Sequence, residues 1–126
     1  MTNNKEAVLR FYEAAALGDA VALASTVHED FYAEAPPMLP WGGVTEGRDA
    51  VIAKILPRLA ATLNLETLKI ASIYGEDEKV FVTITAETIH GEPVTLGEDW
   101  TLRDGKPAAI RVYWLDPRPA IRALGL

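Results

Sequence analysis

Glu98 is a lone carboxylate in an apolar row. Read with period two, Leu96, Glu98, Trp100 and Leu102 share one face of a strand. Burial among Leu and Trp disfavours the charged form of a carboxyl and raises its pKa. A protonated Glu98 can donate to a developing oxyanion, and an ionised one can take a proton. A register slip of one would instead turn Glu98 outward and bring Asp99 to the core side. Glu34 alternates with Tyr32 on a short strand, a pattern that suits a general base beside a hydrogen-bond donor and equally suits a solvated strand end. Asp116 ends the last strand before Pro117, where an Asp often only caps a turn. Tyr12 lies on an apolar helix face, where a Tyr usually ties off its hydroxyl in the core. Trp41, Trp100 and Trp114 are the large apolar walls available to a pocket, with Trp41 in a Pro/Gly loop that could form a lid.

Other chemistries are excluded or lack support. The 126 residues include no Cys, so disulfides, thiolate nucleophiles and Cys-ligated metals are absent. His28 and His90 fall in turns, without acids at ligand spacing, and no metal site is expected. There is no phosphate loop, dinucleotide fingerprint, nucleophile elbow or zinc-helix motif. No cofactor is therefore expected, and the work would fall to carboxylates and tyrosines. A net charge of −6 argues against nucleic acid as a partner. The polar N-terminus and the absence of a long apolar run argue against a leader peptide or a membrane span, and a cytoplasmic enzyme is the simpler expectation.

The elements that must position these residues follow from periodicity. Val8, Phe11, Tyr12 and Ala15 define an amphipathic first helix, ended by Gly18. Asp19 caps a short second helix with Val21, Leu23, Ala24 and Val27 on its apolar side. Phe31 to Ala35 is a short strand, followed by a loop over Pro36 to Gly43 that the three prolines keep irregular. A third helix runs from Arg48 to about Ala61, with Pro57 expected to kink or shorten it. Period two then takes over from Leu63, through Val80–Ile89 and Val94–Leu102, to Ala108–Leu115, with Asp104-Gly105 marking a hairpin. A helical turn could close the chain after Pro117. The order α-α-β-α-β-β-β-β over residues 1–126 predicts one α+β domain. Three helices lie within a strongly curved, mainly antiparallel sheet, and the resulting cone has a mouth suited to a small apolar ligand.

The chain resembles the nuclear transport factor 2-like superfamily, in its SnoaL-like and ketosteroid-isomerase-like branch. The matching stretches are Arg10-Phe11-Tyr12-Glu13 with Leu17-Gly18-Asp19, then Glu29-Asp30-Phe31, then Glu46-Gly47-Arg48-Asp49-Ala50-Val51, and finally Trp100 to Lys106 with Tyr113 to Asp116. The resemblance implies the cone fold and places the face of Ile110, Val112 and Trp114 inside it. It also implies isomerase, cyclase or lyase chemistry, or none, since the fold hosts all of these. Where isomerase-like members carry an oxyanion-hole Tyr, this chain has Phe11, with Tyr12 beside it. Where they carry the general base it has Ala35, with Glu34 before it. Their second oxyanion-hole acid matches Glu98.

The expected function is cofactor-independent proton transfer on an apolar, ring-containing or polyketide-like substrate. Glu34 or Asp116 would be the base, and Glu98 with Tyr12 or Tyr32 the electrophilic partner. Phe11, Trp41, Trp100, Ile110, Val112 and Trp114 would form the binding walls. The alternative is a ligand-binding or interaction module without catalysis. Arg111, Tyr113 and Leu115 on the other face of the last strand, together with the resemblance, predict a homodimer through the outer sheet face.

Overall fold

The computed structural model describes residues 3–126; Met1 and Thr2, part of the polar N-terminus, lie outside the described residues. Helices α1 (Asn4–Ala16) and α2 (Ala20–Ser25) come first, followed by strands β1 (Tyr32–Ala35) and β2 (Gly43–Glu46). Helix α3 (Arg48–Thr62) leads into the meander β3 (Leu63–Glu76), β4 (Lys79–Thr88), β5 (Pro93–Arg103) and β6 (Lys106–Trp114), and α4 (Arg118–Ala123) ends the chain. The six strands form one curved, unclosed sheet in the order β2-β1-β6-β5-β4-β3. Only the β1–β6 pairing is parallel.

Local chemistry explains most boundaries. The Asn3 side chain accepts from the Glu6 amide at the start of α1. Asp19 Oδ1 accepts from the amides of Val21 and Ala22, satisfying two of the free donors that open α2. Gly18, at φ +65°, makes the reversal between the two helices in a conformation that costs Gly little. The β5–β6 turn has positive φ at both Asp104 and Gly105, as a two-residue hairpin with right-handed twist requires. β3 curves through two register shifts against β4, between Asn64 and Lys69 and between Ile70 and Ser72. At the first shift Thr67 Oγ1 accepts from the Glu87 amide in place of a ladder bond.

Two features differ from the sequence reading, and a third extends it. β2 forms directly after the Pro/Gly loop, because Pro40 lies outside it and Gly43 to Glu46 pair with Ala35 to Tyr32. Pro57 lies inside α3 without ending it, and the helix continues to Thr62. The end of the chain forms a true helix, α4, packed through Pro119 and Ala120.

The core lies between the concave face of the sheet and the helices. Val80, Val82, Ile84 and Ala86 of β4 point into it, as do Val94, Leu96, Trp100 and Leu102 of β5 and Ile110 of β6. The apolar alternates of β4 are therefore inside, and Phe81, Thr83, Thr85 and Glu87 face out. A second cluster, Ala35, Leu39, Trp41 and Ala120, joins the Pro/Gly loop to α4. Trp114, Ile55 and Leu59 touch both clusters.

Candidate active site

A cavity of about 180 Å³ opens between α1, α3 and the concave face of the sheet. Its wall is almost wholly apolar. Phe11, Tyr12 and Ala15 come from α1, Ile52, Ile55 and Leu59 from α3, and Leu96, Val112 and Trp114 from the sheet. Trp41 belongs to the wall and is only 2% exposed, held there by the Pro/Gly loop. Among the described residues, two ionisable side chains other than tyrosine border the cavity, Glu98 and Glu34.

Glu98 belongs to the inward row of β5. It pairs with Val82 on β4 and Val112 on β6, one step from the Leu96–Trp114 pair. Among the described residues, the one hydrogen bond to its side chain comes from the Tyr12 hydroxyl, which donates to Oε1 at 2.5 Å. Tyr12 in turn accepts from the indole N–H of Trp100 at 3.0 Å. Burial pushes the Glu98 carboxyl up to about 7, against the opposing pull of the Tyr12 hydrogen bond. Burial and the neighbouring Glu98 carboxylate push the Tyr12 phenol well above its ordinary range, so it stays a neutral donor. Among the described residues, no Lys or Arg lines the cavity.

The other acids face elsewhere. Ala33 and Ala35 take the inward positions of β1, which turns Tyr32 and Glu34 outward. Glu34 touches the cavity rim, but its carboxylate accepts from Arg111 Nε at 2.7 Å on the outer side of the β1–β6 pair. Asp116 is held by the side chain and the amide of Arg118, which keep its carboxyl low, at about 2. Glu34, Tyr32 and Asp116 are thus not brought to Glu98. The reason is local: Arg111 and Arg118 hold the two carboxylates, and Ala33 and Ala35 occupy the inward positions of β1, which leaves Tyr32 exposed.

The expected binding walls divide in the same way. Phe11, Trp41, Val112 and Trp114 line the cavity, whereas Trp100 and Ile110 do not. Trp100 is fully buried behind Phe11, Tyr12 and Phe31, with ring centroids 4.7, 5.8 and 6.1 Å away. Ile110 is core opposite Trp100. The α3 residues of the wall lie on the apolar stripe of that helix, which marks a buried face in the sequence but not the part of it that meets the cavity. The indole N–H of Trp114 is buried without a partner. Among the described residues no group of His, Asp and Glu could hold a metal ion, and no helix is long and apolar enough to cross a membrane.

The arrangement is a conical α+β fold with the partly buried Glu98 carboxyl in its cavity. The model of the SnoaL-like domain matches residues 8–115, and the chain belongs to that family. Similar solved structures include an NTF2-like protein of unknown function from Burkholderia pseudomallei, 22% identical, covering 100% of each chain with a TM-score of 0.78. TerC, co-crystallised with polyporic acid, is 22% identical over 98% of each chain, with a TM-score of 0.79. A candidate polyketide cyclase from Sinorhizobium meliloti is 21% identical over 86% of this chain and 94% of its own, with a TM-score of 0.72. At these identities the likeness concerns the fold alone. No curated protein matches by sequence.

Proposed function

We propose that the protein is a cofactor-independent enzyme that moves a proton on a small, mainly apolar ring compound carrying a carbonyl, with Glu98 as the acid/base group. The observation that carries this reading is the Glu98 carboxyl in an apolar cavity, held by a hydrogen bond from Tyr12, where burial pushes it up to about 7. Such a group takes and returns protons with little energetic bias at neutral pH. Glu98 would accept a proton from the carbon next to the carbonyl. The C–H electron pair moves to the carbonyl oxygen, and the same carboxyl returns the proton at the original or a conjugated carbon. Isomerisation and aldol-type cyclisation both begin with this step.

Cavity size limits the substrate. An apolar cavity of about 150 Å³ holds benzene, so the present one suits one ring, or two if part of the ligand stays at the mouth. The co-crystal of TerC and the name of the Sinorhizobium protein agree with ring-containing ligands. The test is hydrogen exchange of 2-cyclohexenone in D2O, followed by proton NMR. The intact protein should exceed buffer alone. Glu98→Gln should lose about 100-fold or more, while Asp99→Asn, on the outward face of the same strand beside Lys79, should not change. Exchange no faster than buffer, or an unaffected Glu98→Gln variant, rejects the reading.

A second reading is a binding module without turnover. It is favoured by the confinement of Glu34 and Asp116 to arginine pairs, which leaves no separate acid and base in the cavity. Quenching of Trp fluorescence by the ketone, without exchange, identifies this case. In either case we propose that the chain pairs with a second copy through the outer sheet face, where Tyr74, Phe81 and Tyr113 are exposed.

A further inference from the structure

We infer that Trp100 is a positioning residue, whose indole N–H fixes the direction of the Tyr12 hydroxyl and thereby leaves one oxygen of Glu98 free for the ligand. This rests on the proposed role of Glu98, but it concerns a residue that never touches the cavity.

The direction follows from donor and acceptor chemistry. An indole N–H donates and never accepts. At 3.0 Å from Tyr12, it obliges the phenolic oxygen to accept there, so the hydroxyl hydrogen cannot point toward Trp100. The remaining partner is Glu98 Oε1, 2.5 Å away. A free tyrosine hydroxyl could swing in the ring plane between two positions; this one has a single choice. With Oε1 engaged, Oε2 is the oxygen that no protein hydrogen bond reaches among the described residues. Substrate would therefore meet one defined oxygen rather than either of two.

Trp100 is itself immobile. It is fully buried, and Phe11, Tyr12 and Phe31 pack around its ring. Its backbone sits between Val80 on β4 and Ile110 on β6. Its donor is thus placed by the centre of the sheet, and α1 brings Tyr12 to it. Accepting from Trp100 also polarises the Tyr12 hydroxyl and strengthens its donation to Glu98, as in any hydrogen-bonded chain. The facing elements add no competing charge. β4 and β6 present Val82 and Val112, α3 presents Val51, Ile52, Ile55, Leu56 and Leu59, α1 presents Phe11, Ala15 and Ala16 beside Tyr12 itself, and the Glu34 carboxylate is paired with Arg111.

The experiment is a double-variant cycle read by carbon-13 NMR titration of the Glu98 side-chain carboxyl, which requires no substrate. Trp100→Phe should raise the Glu98 midpoint by about half a pH unit, through the weakened Tyr12 donor. Tyr12→Phe should raise it further. Adding Trp100→Phe to Tyr12→Phe should then move it no more, because the indole acts only through Tyr12. An equal shift in both backgrounds means that Trp100 acts by bulk and burial alone, and overturns the inference. So does an unmoved midpoint in the single variant. If Trp100→Phe does not fold, benzothienylalanine placed at position 100 keeps the ring shape and removes the N–H, and the same outcomes decide. Should Glu98→Gln keep full proton exchange, the catalytic proposal fails while the titration cycle still decides the role of Trp100.

Discussion

The Tyr12 hydroxyl and the Glu98 carboxyl meet at 2.5 Å across 86 residues of chain, one from the first helix and the other from the middle of the sheet. The contact exists only when α1 is docked into the concave face, so the ionisation of Glu98 is coupled to folding. Its carboxyl titrates at about 7 in the folded protein, against 4.5 when unperturbed. A raised carboxyl pKa favours the folded state while the group is protonated in both states. That advantage is lost as pH rises from about 4.5 through 7, where only the unfolded chain ionises freely. Asp30, Glu92 and Asp116 are shifted the opposite way, so their stabilisation is lost only under more acidic conditions. The shift of Glu98 corresponds to roughly 3 kcal/mol between pH 5 and pH 8. The melting temperature should fall by roughly 10 °C over that interval, and Glu98→Gln should remove most of the fall. Equal melting temperatures at the two pH values would contradict the burial of an ionisable Glu98.

How far these relationships can be read in the chain depends on the residue. Glu98 is visible because period two sets it in a row with Leu96, Trp100 and Leu102, and strand faces survive any fold that keeps the strand. Its partner is not visible. The helical stripe puts Tyr12 on a buried face, but the meeting with Glu98 depends on how α1 crosses the sheet. Glu34 stays ambiguous in the sequence, between a base at the mouth and a solvated strand end, for the converse reason. Phe31, Ala33 and Ala35 already formed the apolar alternate of that strand, a signal that turns Tyr32 and Glu34 outward, but the alanines are too small to make it obvious. The parallel pairing of β1 with β6, which supplies Arg111 to Glu34, joins distant segments and leaves no local trace. Trp100 shares the face of Glu98, yet its ring packs behind Tyr12, because a large side chain at the closed end of the cone fills the core rather than the cavity.

Tyr12→Phe tests the network from its centre. The variant removes the acceptor of the Trp100 N–H, leaving a buried donor unpaired at a cost of about 1–3 kcal/mol. It also removes the Tyr12 hydrogen bond to Glu98, which further disfavours the ionised carboxyl. Urea unfolding should therefore show a larger loss at pH 8 than at pH 5. A loss equal at both pH values would mean that the hydroxyl does not stabilise the carboxylate.

The loop that holds Trp41 in the cavity wall depends on Gly42. A Cβ at this position would lie 2.3 Å from the Pro36 carbonyl oxygen, 2.8 Å from Pro37 Cα and 2.9 Å from the Leu39 carbonyl oxygen. All three atoms belong to the backbone, and two of the residues are prolines, so the clash cannot be relieved by a side-chain rotation. Gly42→Ala should destabilise the protein by about 2 kcal/mol or more and displace Trp41. The displacement would appear as a red shift of Trp emission, since Trp41 leaves an almost fully buried site. Unchanged stability and emission would show that the loop has other ways to close.

The outer sheet face supplies the last prediction. Tyr113 on β6 and Thr83 on β4 flank Gly97, and the Phe81 ring lies over that glycine, its Cζ 2.7 Å from where a Cβ would stand. The absent side chain lets Phe81 lie across the strand, forming with Tyr113 an apolar surface in the middle of the sheet. Tyr113 is 48% exposed and Phe81 40%, while Leu115 continues the same strand face at 83%. The pairs Lys79–Asp99 and Arg111–Glu34 lie along one side of this surface, with their charges matched to each other. An apolar centre with a charged edge is the composition of an interface core, and a two-fold pairing buries it against itself. Light scattering at micromolar concentration should give twice the 13.7 kDa of one chain. Tyr113→Lys should reduce it to the monomer mass by placing two like charges near the axis, without moving the Glu98 titration on the opposite face. Gly97→Ala should weaken pairing as well, because Phe81 must swing away from the strand. A monomer mass for the unaltered protein, or a dimer indifferent to both substitutions, would place no interface on this face.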